Sequence, residues 1–464
     1  MKKPLLSIIL FISFVAFIGS GCKKKATTDT SAPSLSTQDV ILDVTSTTAQ
    51  SGGTISSIGG AALTANGVCY STSNQTPTIA DTKTSEPLIS TSYTFTSNLT
   101  GLTPSTTYHL RAYATNMYGT AYGAVVTFTT PSALSSVVGV VTTFAGDGTA
   151  GYLDGNGTGA EFSNPQGIAI DAQGNIYVSD SFNNRIRKIS PDGTVVTIAG
   201  NGTAGYVDSA DGTTAEFYSP AGLTVDGQGN VYVADYGNNV IRKITPAGAV
   251  STYAGNGVAA YVDGAAINVA AFSGPSGLAF DGQGNLYVAD RNNNMIRKIT
   301  AAGVVSRIAG ITTAGYVNTT VSTANSVYGA FKKPVGVVVD GQGNIYVADG
   351  GNSAIRQITA AGVITTIAGG PGQSALINDA SGLCIDGAGD IFISDASGRI
   401  IELTSTKTLY YLAGASAVFG FADGSGTAAQ FSSPRGVAVN AAGEIYVADQ
   451  NNNRIRKVVV EIHD

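Results

Sequence analysis

The side chains able to do chemistry fall into two sets, those that recur along the chain and those that break the recurrence. An aspartate returns as Asp180, Asp235, Asp290, Asp349, Asp395 and Asp449, at intervals of 55, 55, 59, 46 and 54 residues. An arginine follows as Arg187, Arg242, Arg297, Arg356 and Arg456. A group present in every copy cannot define a single site, so these carboxylates and guanidinium groups are expected to pair between strands or to hold turns. Recognition chemistry belongs where the copies differ. Just after the aspartate stand Ser181-Phe182, Tyr236, Arg291, Gly350-Gly351, Ala396-Ser397 and Gln450. Before the glycine of a recurring Pro-x-Gly stand Gln166, Ala221, Ser276, Val335, Ser381 and Arg435. Gln166, Phe182, Tyr236, Arg291 and Arg435 therefore offer amide, aromatic and guanidinium groups that can stack and hydrogen-bond. Such groups suit a peptide, a glycan or a carboxylate.

Groups for covalent or metal chemistry are sparse. The chain has two histidines, His109 and His463, and no Ser-His-Asp set, phosphate-cradling loop or convincing carboxylate pair. A second recurring theme is Tyr152, Tyr206, Tyr261, Tyr316 and Phe421, each followed two residues later by Asp154, Asp208, Asp263, Asn318 or Asp423. Its repetition points to packing. Asp154-Gly155-Asn156-Gly157 carries oxygens of the kind that hold Ca²⁺, yet the twelve-residue helix-flanked pattern is missing, so no cofactor is expected. Cys69 and Cys384 lie in separate units and read as small buried apolar residues.

The elements that position these residues are short strands. Each copy holds four apolar, β-rich segments, here a to d, separated by Gly, Asn and Asp. The first runs Pro165-Gln166-Gly167-Ile168-Ala169-Ile170-Asp171, Gly174-Asn175-Ile176-Tyr177-Val178-Ser179-Asp180, Asn183-Asn184-Arg185-Ile186-Arg187-Lys188-Ile189 and Val195-Val196-Thr197-Ile198-Ala199-Gly200. Four strands cannot bury two apolar faces alone, whereas units stacked in a ring can. The sixth copy ends after strand c, while Val138 to Ala145 precedes the first copy as an orphan strand d. That strand is predicted to pair with strand c of the sixth copy and close the ring.

The Pro-x-Gly, Gly-Asn-x-Tyr-Val-x-Asp and Asn-x-Ile-Arg-Lys elements resemble the NHL repeat, and the resemblance implies a six-bladed β-propeller over residues 138–464. Blade five departs most: it has Asp390 for the Asn, Phe392 for the Tyr and, on this alignment, Glu402 for the Arg. Propellers resembling amidating lyases use metal-binding histidines, which this ring lacks apart from His463. Those resembling gluconolactonases carry acids on the inner strands, where this chain has runs such as Gly-Ile-Ala-Ile and Gly-Leu-Thr-Val.

Upstream, residues 38–131 read as a small β-sandwich. Leu102-Thr103-Pro104-Ser105-Thr106-Thr107-Tyr108, followed by Ala114-Thr115-Asn116, resembles a fibronectin type III domain, in which Tyr108 would bond back to the upstream loop as a corner lock. Alternation puts Tyr108, Leu110, Ala112 and Ala114 on one face and His109, Arg111 and Tyr113 on the other. Residues 1–21 combine Lys2-Lys3, an apolar run from Leu5 to Ile18 and small residues before Cys22, a secretory pattern too short for the roughly 20 residues of a membrane span. Cys22 resembles the lipidated first residue of a bacterial lipoprotein, which implies an envelope protein anchored at the outer membrane, on its periplasmic or surface face. Residues 22–37 read as a polar tether. Only 12% of residues are charged and no basic stripe exists, which argues against a nucleic-acid partner. The expected fold is all-β, a sandwich followed by a propeller. The expected function is non-catalytic recognition of a protein, peptide or glycan by the loop face; the alternative is a lyase or hydrolase acting on a sugar or peptide.

Overall fold

A computed structural model describes residues 30–42, 44–88, 93–131, 136–319, 328–371 and 376–463; the secretory segment and Cys22 lie outside them. The described residues form strands and short 3₁₀ turns with no α-helix among them. From residue 136 onward there are six sheets of four long antiparallel strands, three of which gain a two-residue fifth strand. Each first strand touches the first strand of the next sheet, and the sixth touches that of the first.

The Pro-x-Gly glycine makes that cycle possible. A Cβ on Gly167 would stand 2.3 Å from the Ala221 carbonyl oxygen, one on Gly222 would stand 2.2 Å from that of Ser276, and so on around the ring. The last member, Gly436, would meet the Gln166 carbonyl at 2.5 Å, so the series returns to its start. Any side chain at these positions would wedge neighbouring blades apart. The orphan strand, Ser136–Ala145, pairs antiparallel with Arg454–His463 (Val141 against Val458), so the two ends of the ring share one sheet.

Inside a blade the recurring acids and arginines do pair. Arg187 is fully buried; its Nη1 lies 2.8 Å from Asp180 Oδ2 and its Nη2 2.7 Å from Asp154 Oδ1. The same arginine donates to the Glu161 and Leu153 carbonyls at 2.9 and 2.8 Å, which straps the loop into strand a onto strand c. Asp208, Asp263 and Asp423 repeat the outer pairing with Arg242, Arg297 and Arg456. Blade five needs a correction. The residue opposite Ile393, where Arg187 faces Val178, is Ile401, so Glu402 replaces the lysine and not the buried arginine. Arg399 takes over the ion pair, its Nε donating to Asp395 at 3.1 Å.

Upstream of the ring two sheets share one core. One contains Ser34–Thr37, Thr48–Ser57 and Tyr93–Thr100; the other is built on Leu63–Ser71 and Thr107–Asn116. Ile55, Val68, Leu110 and Phe128 fill the space between them. Tyr108 Oη accepts from Thr103 N at 2.8 Å, the contact that the corner-lock resemblance implies. Tyr113, on the opposite face from Tyr108, is nevertheless buried and donates to the Thr84 carbonyl at 2.7 Å. Alternation separates the faces, but a chain segment covers the second one.

This upstream unit also completes the ring's edge. In blades one, three and six the loop entering the blade lays a short strand on strand d: Gly155–Asn156, Gly264–Ala265 and Gly424–Ser425. Blades two and four use single bridges, Ser209 to Val250 and Thr319 to Ile364. The loop into blade five is the shortened one, and Ile41 of the upstream unit takes the vacant place, bridging Thr408 in parallel. Leu409 N donates to the Ile41 carbonyl at 3.3 Å. Val40 and Leu42 sit in the core of blade five beside Ile401, Leu403 and Leu409, while Ile41 points back into its own unit. The strand period of two lets one tripeptide serve both cores.

Candidate recognition site at the ring mouth

A kink in strand a builds the site. In blade one Pro165 pairs with Asp180, and the next pair is Ile168 with Val178, so Gln166 and Gly167 together oppose Ser179. The same step occurs at Pro220/Leu223, Pro275/Leu278, Ala380/Leu383 and Pro434/Val437. A bulge of this kind re-aims side chains. It is entered through a residue in the left-handed region, Asn164 at φ +59° in blade one. The recurring Asp then holds bulge and turn in register: Asp180 Oδ1 accepts from Ser163 N at 2.7 Å and Oδ2 from Asn183 Nδ2 at 2.8 Å. The structural acid is thus the positioning element of the site.

All six x residues, five from the bulges and Val335 from blade four, line one cavity of about 450 Å³, together with Tyr236, Arg291 and Gln450 from the turns after the aspartate. Arg291 Nη1 donates to Tyr236 Oη at 3.2 Å. Arg435 Nε donates to Gln450 Oε1 at 3.0 Å and Nη1 to Ser381 Oγ at 3.4 Å. Gln450 Nε2 and Gln166 Nε2 both donate to Asn164 Oδ1, at 2.7 and 3.3 Å. Among the described residues neither guanidinium has a carboxylate within 4 Å. Burial lowers the pKa of Arg435; the charge of Asp379 opposes it, and the charge of Arg291 adds a smaller push downward. Burial pushes the Asp379 carboxyl up, against the pull of Arg435 and Arg291. The cavity therefore holds two like charges that are incompletely neutralised.

Of the residues singled out from sequence, Gln166, Tyr236, Arg291 and Arg435 line this one cavity, and Phe182 does not. Phe182 is 67% exposed. Tyr236 and Arg291 are the first residues of their 3₁₀ turns, whereas Phe182 is the second of its turn, after Ser181. The first position lines the cavity in blades two, three and six, whereas Phe182, at the second position in blade one, does not. One wall residue, Tyr218, and one acid outside the lining, Asp379, had no such signal. Tyr218, half-exposed on the wall, follows the recurring Phe217, where other blades have Ser163, Ser273, Lys332, Asn378 and Ser432. Asp379 occupies the position before the bulge, where no acid stands in the other blades.

The NHL repeat model matches residues 162–189, 217–244, 272–299, 331–358 and 431–458. These are blades one to four and six; blade five lies in the gap. Suppressor of Quenching 1, a chloroplastic protein of Arabidopsis thaliana, is 27% identical over 322 residues, 67% of this chain and 26% of that protein. Human Teneurin-4 is 30% identical over 229 residues, 44% of this chain and 8% of its own length. The chain thus spans a small part of both relatives. Among solved structures, a Bacteroides thetaiotaomicron protein of unknown function aligns at TM-score 0.54 and 17% identity, covering 93% of this chain and 98% of that one. An auxiliary nutrient binding protein from the same organism aligns at 0.52 and 13%, with the same coverage. At these identities they share the fold: an all-β chain of NHL repeats arranged as a propeller.

Proposed function

We propose that this NHL-repeat propeller is a non-catalytic recognition protein that seats a protein, peptide or glycan ligand at the ring mouth. The observation that carries this reading is the lining of the cavity. Gln166, Tyr236, Arg291, Arg435 and Gln450 are hydrogen-bonded to one another or to their supports, which pre-orders them for binding. The auxiliary nutrient binding protein, named for a binding role, supports the same reading. The fold by itself assigns no function. Phe182, exposed beyond the cavity wall, adds an aromatic surface to the same reading for a ligand larger than the cavity.

We further propose export and lipid attachment at Cys22, which would hold the ring at the bacterial envelope. A paired experiment tests both parts. Glycan and peptide arrays probed with the chain should give saturable binding that Tyr236→Ala weakens, with no turnover of lactone, polysaccharide or peptide substrates. Metal-dependent turnover would reverse the reading in favour of a lyase or hydrolase. Cys22→Ser should move the protein from the membrane fraction to the soluble fraction; unchanged membrane association would remove the anchor.

A further inference from the structure

We infer that the mouth selects a glycan bearing an anionic group, with Arg291 and Arg435 holding the anion and Tyr218 offering a stacking face beside it. This rests on the reading of the mouth as the ligand site and narrows it to one ligand class.

The first ground is unspent donor capacity. A guanidinium carries five N–H donors in a rigid fork. Arg291 spends one on Tyr236, and Arg435 spends one on Gln450 and one on Ser381. No other acceptor serves either group among the described residues. The repeat arginines show the contrast, since Arg187 and its relatives are consumed by two acids or by an acid and an amide within their own blades. The second ground is charge. Arg291 and Arg435 come from blades three and six yet sense one another across the cavity, and the one acid that acts on both, Asp379, forms an ion pair with neither among the described residues, so two guanidinium charges face one carboxylate. Exposed Lys332 and Lys333 occupy, in blade four, the positions that Tyr218 and Ser219 hold in blade two, outside the cavity lining itself. The mouth is thus basic within an acidic chain of net charge −6, which favours an anionic ligand there.

The third ground separates a glycan from an acidic peptide. Extended peptides commonly bind by adding a strand to an open sheet edge. Here the outer edge of every blade already carries a pairing at one end, a two-residue strand in blades one, three and six and a single bridge in the others, in blade five from Ile41. Beyond the arginines, Gln166, Gln450, Ser276, Ser381 and Tyr236 present both donors and acceptors, the mixture that neighbouring sugar hydroxyls require.

The test uses the full chain and a titration series of uronate-bearing and sulfated oligosaccharides. Each is set beside its methyl-esterified or desulfated counterpart, with tetraglutamate as the peptide arm. At least one acidic glycan should bind about tenfold more tightly than its neutralised partner. Arg291→Gln and Arg435→Gln should each erase most of that difference. The uronate and sulfate arms then tell which anion is seated. Equal affinity for acidic and neutral members overturns the inference, as do variants that keep the full preference. Should a variant fail to fold, the acid-to-neutral comparison on the unaltered chain decides alone. Tetraglutamate binding without any glycan binding overturns the inference but keeps the recognition reading. Loss of both readings requires that no arrayed ligand binds at all.

Discussion

At Glu402 a carboxylate stands where four of the sister blades carry a lysine, opposite Phe392 where they carry tyrosine. Burial, with the charges of Asp390 and Asp386 behind it, pushes its pKa up to about 7. The folded state therefore holds the proton more tightly than the unfolded chain. That preference stabilises the protein fully below the ordinary glutamate range and is lost as pH rises toward 7. Urea unfolding should show stability falling by about 1–3 kcal/mol between pH 4.5 and 7.5 on this account. Glu402→Gln should flatten that segment of the curve and be the more stable protein at pH 8; an unchanged slope in the variant would sink the assignment. The ring glycines allow a second residue-scale test. Gly277→Ala places a methyl group 2.4 Å from the Val335 carbonyl oxygen, whereas Gly282→Ala meets nothing within 4 Å. The first should cost about 2 kcal/mol or more and the second almost nothing.

At the scale of elements, the tripeptide Val40-Ile41-Leu42 joins two units that have separate cores. A two-sided strand of this kind couples their stabilities, because neither face can be exposed without uncovering apolar side chains. Val40→Asp with Leu42→Asp would bury two unpaired carboxylates against blade five. Hydrogen exchange in Leu409–Gly414 should then accelerate to the level of an open edge, while strands of blades two and three keep their protection. Exchange that stays slow in Leu409–Gly414 would mean that the upstream unit only rests against the ring. The same contact accounts for the shortened loop before blade five: an edge covered from outside needs no cover of its own.

At the scale of the whole molecule, closure is what turns marginal units into a stable body. Each sheet buries its faces only against its neighbours, so one missing contact exposes two faces. Removing residues 136–145 would strip the last strand from the closing sheet and uncover the Arg454–His463 edge. The expected outcome is a broadened unfolding transition and aggregation on heating, measured by calorimetry and light scattering. Melting that stays as sharp and as high as in the full chain would show that the ring holds without its clasp. Closure also gives the mouth its asymmetry, since the six x residues line one cavity and any residue that breaks the repeat is displayed there among five others.

Much of this was legible in the residues alone because repetition is a statement about geometry. Six copies of a four-strand pattern, an orphan strand d and the Pro-x-Gly glycines specified neighbour-on-neighbour packing, and alternation in strand a marked the variable x positions. Four of the five singled-out side chains, Gln166, Tyr236, Arg291 and Arg435, line one cavity for that reason. What escaped depended on a single residue of register or on a distant partner. Phe182 lies one step along its 3₁₀ turn from the position at which Tyr236 and Arg291 line the cavity, and Glu402 lies one step from the buried arginine site. On a two-faced strand or a tight turn, one step reverses the direction of a side chain. The docking of Ile41 on blade five and the approach of Arg291 to Arg435 join segments more than a hundred residues apart, and local sequence carries no record of such distances. Composition and spacing settled the type of fold; three-dimensional packing alone decided which charges meet.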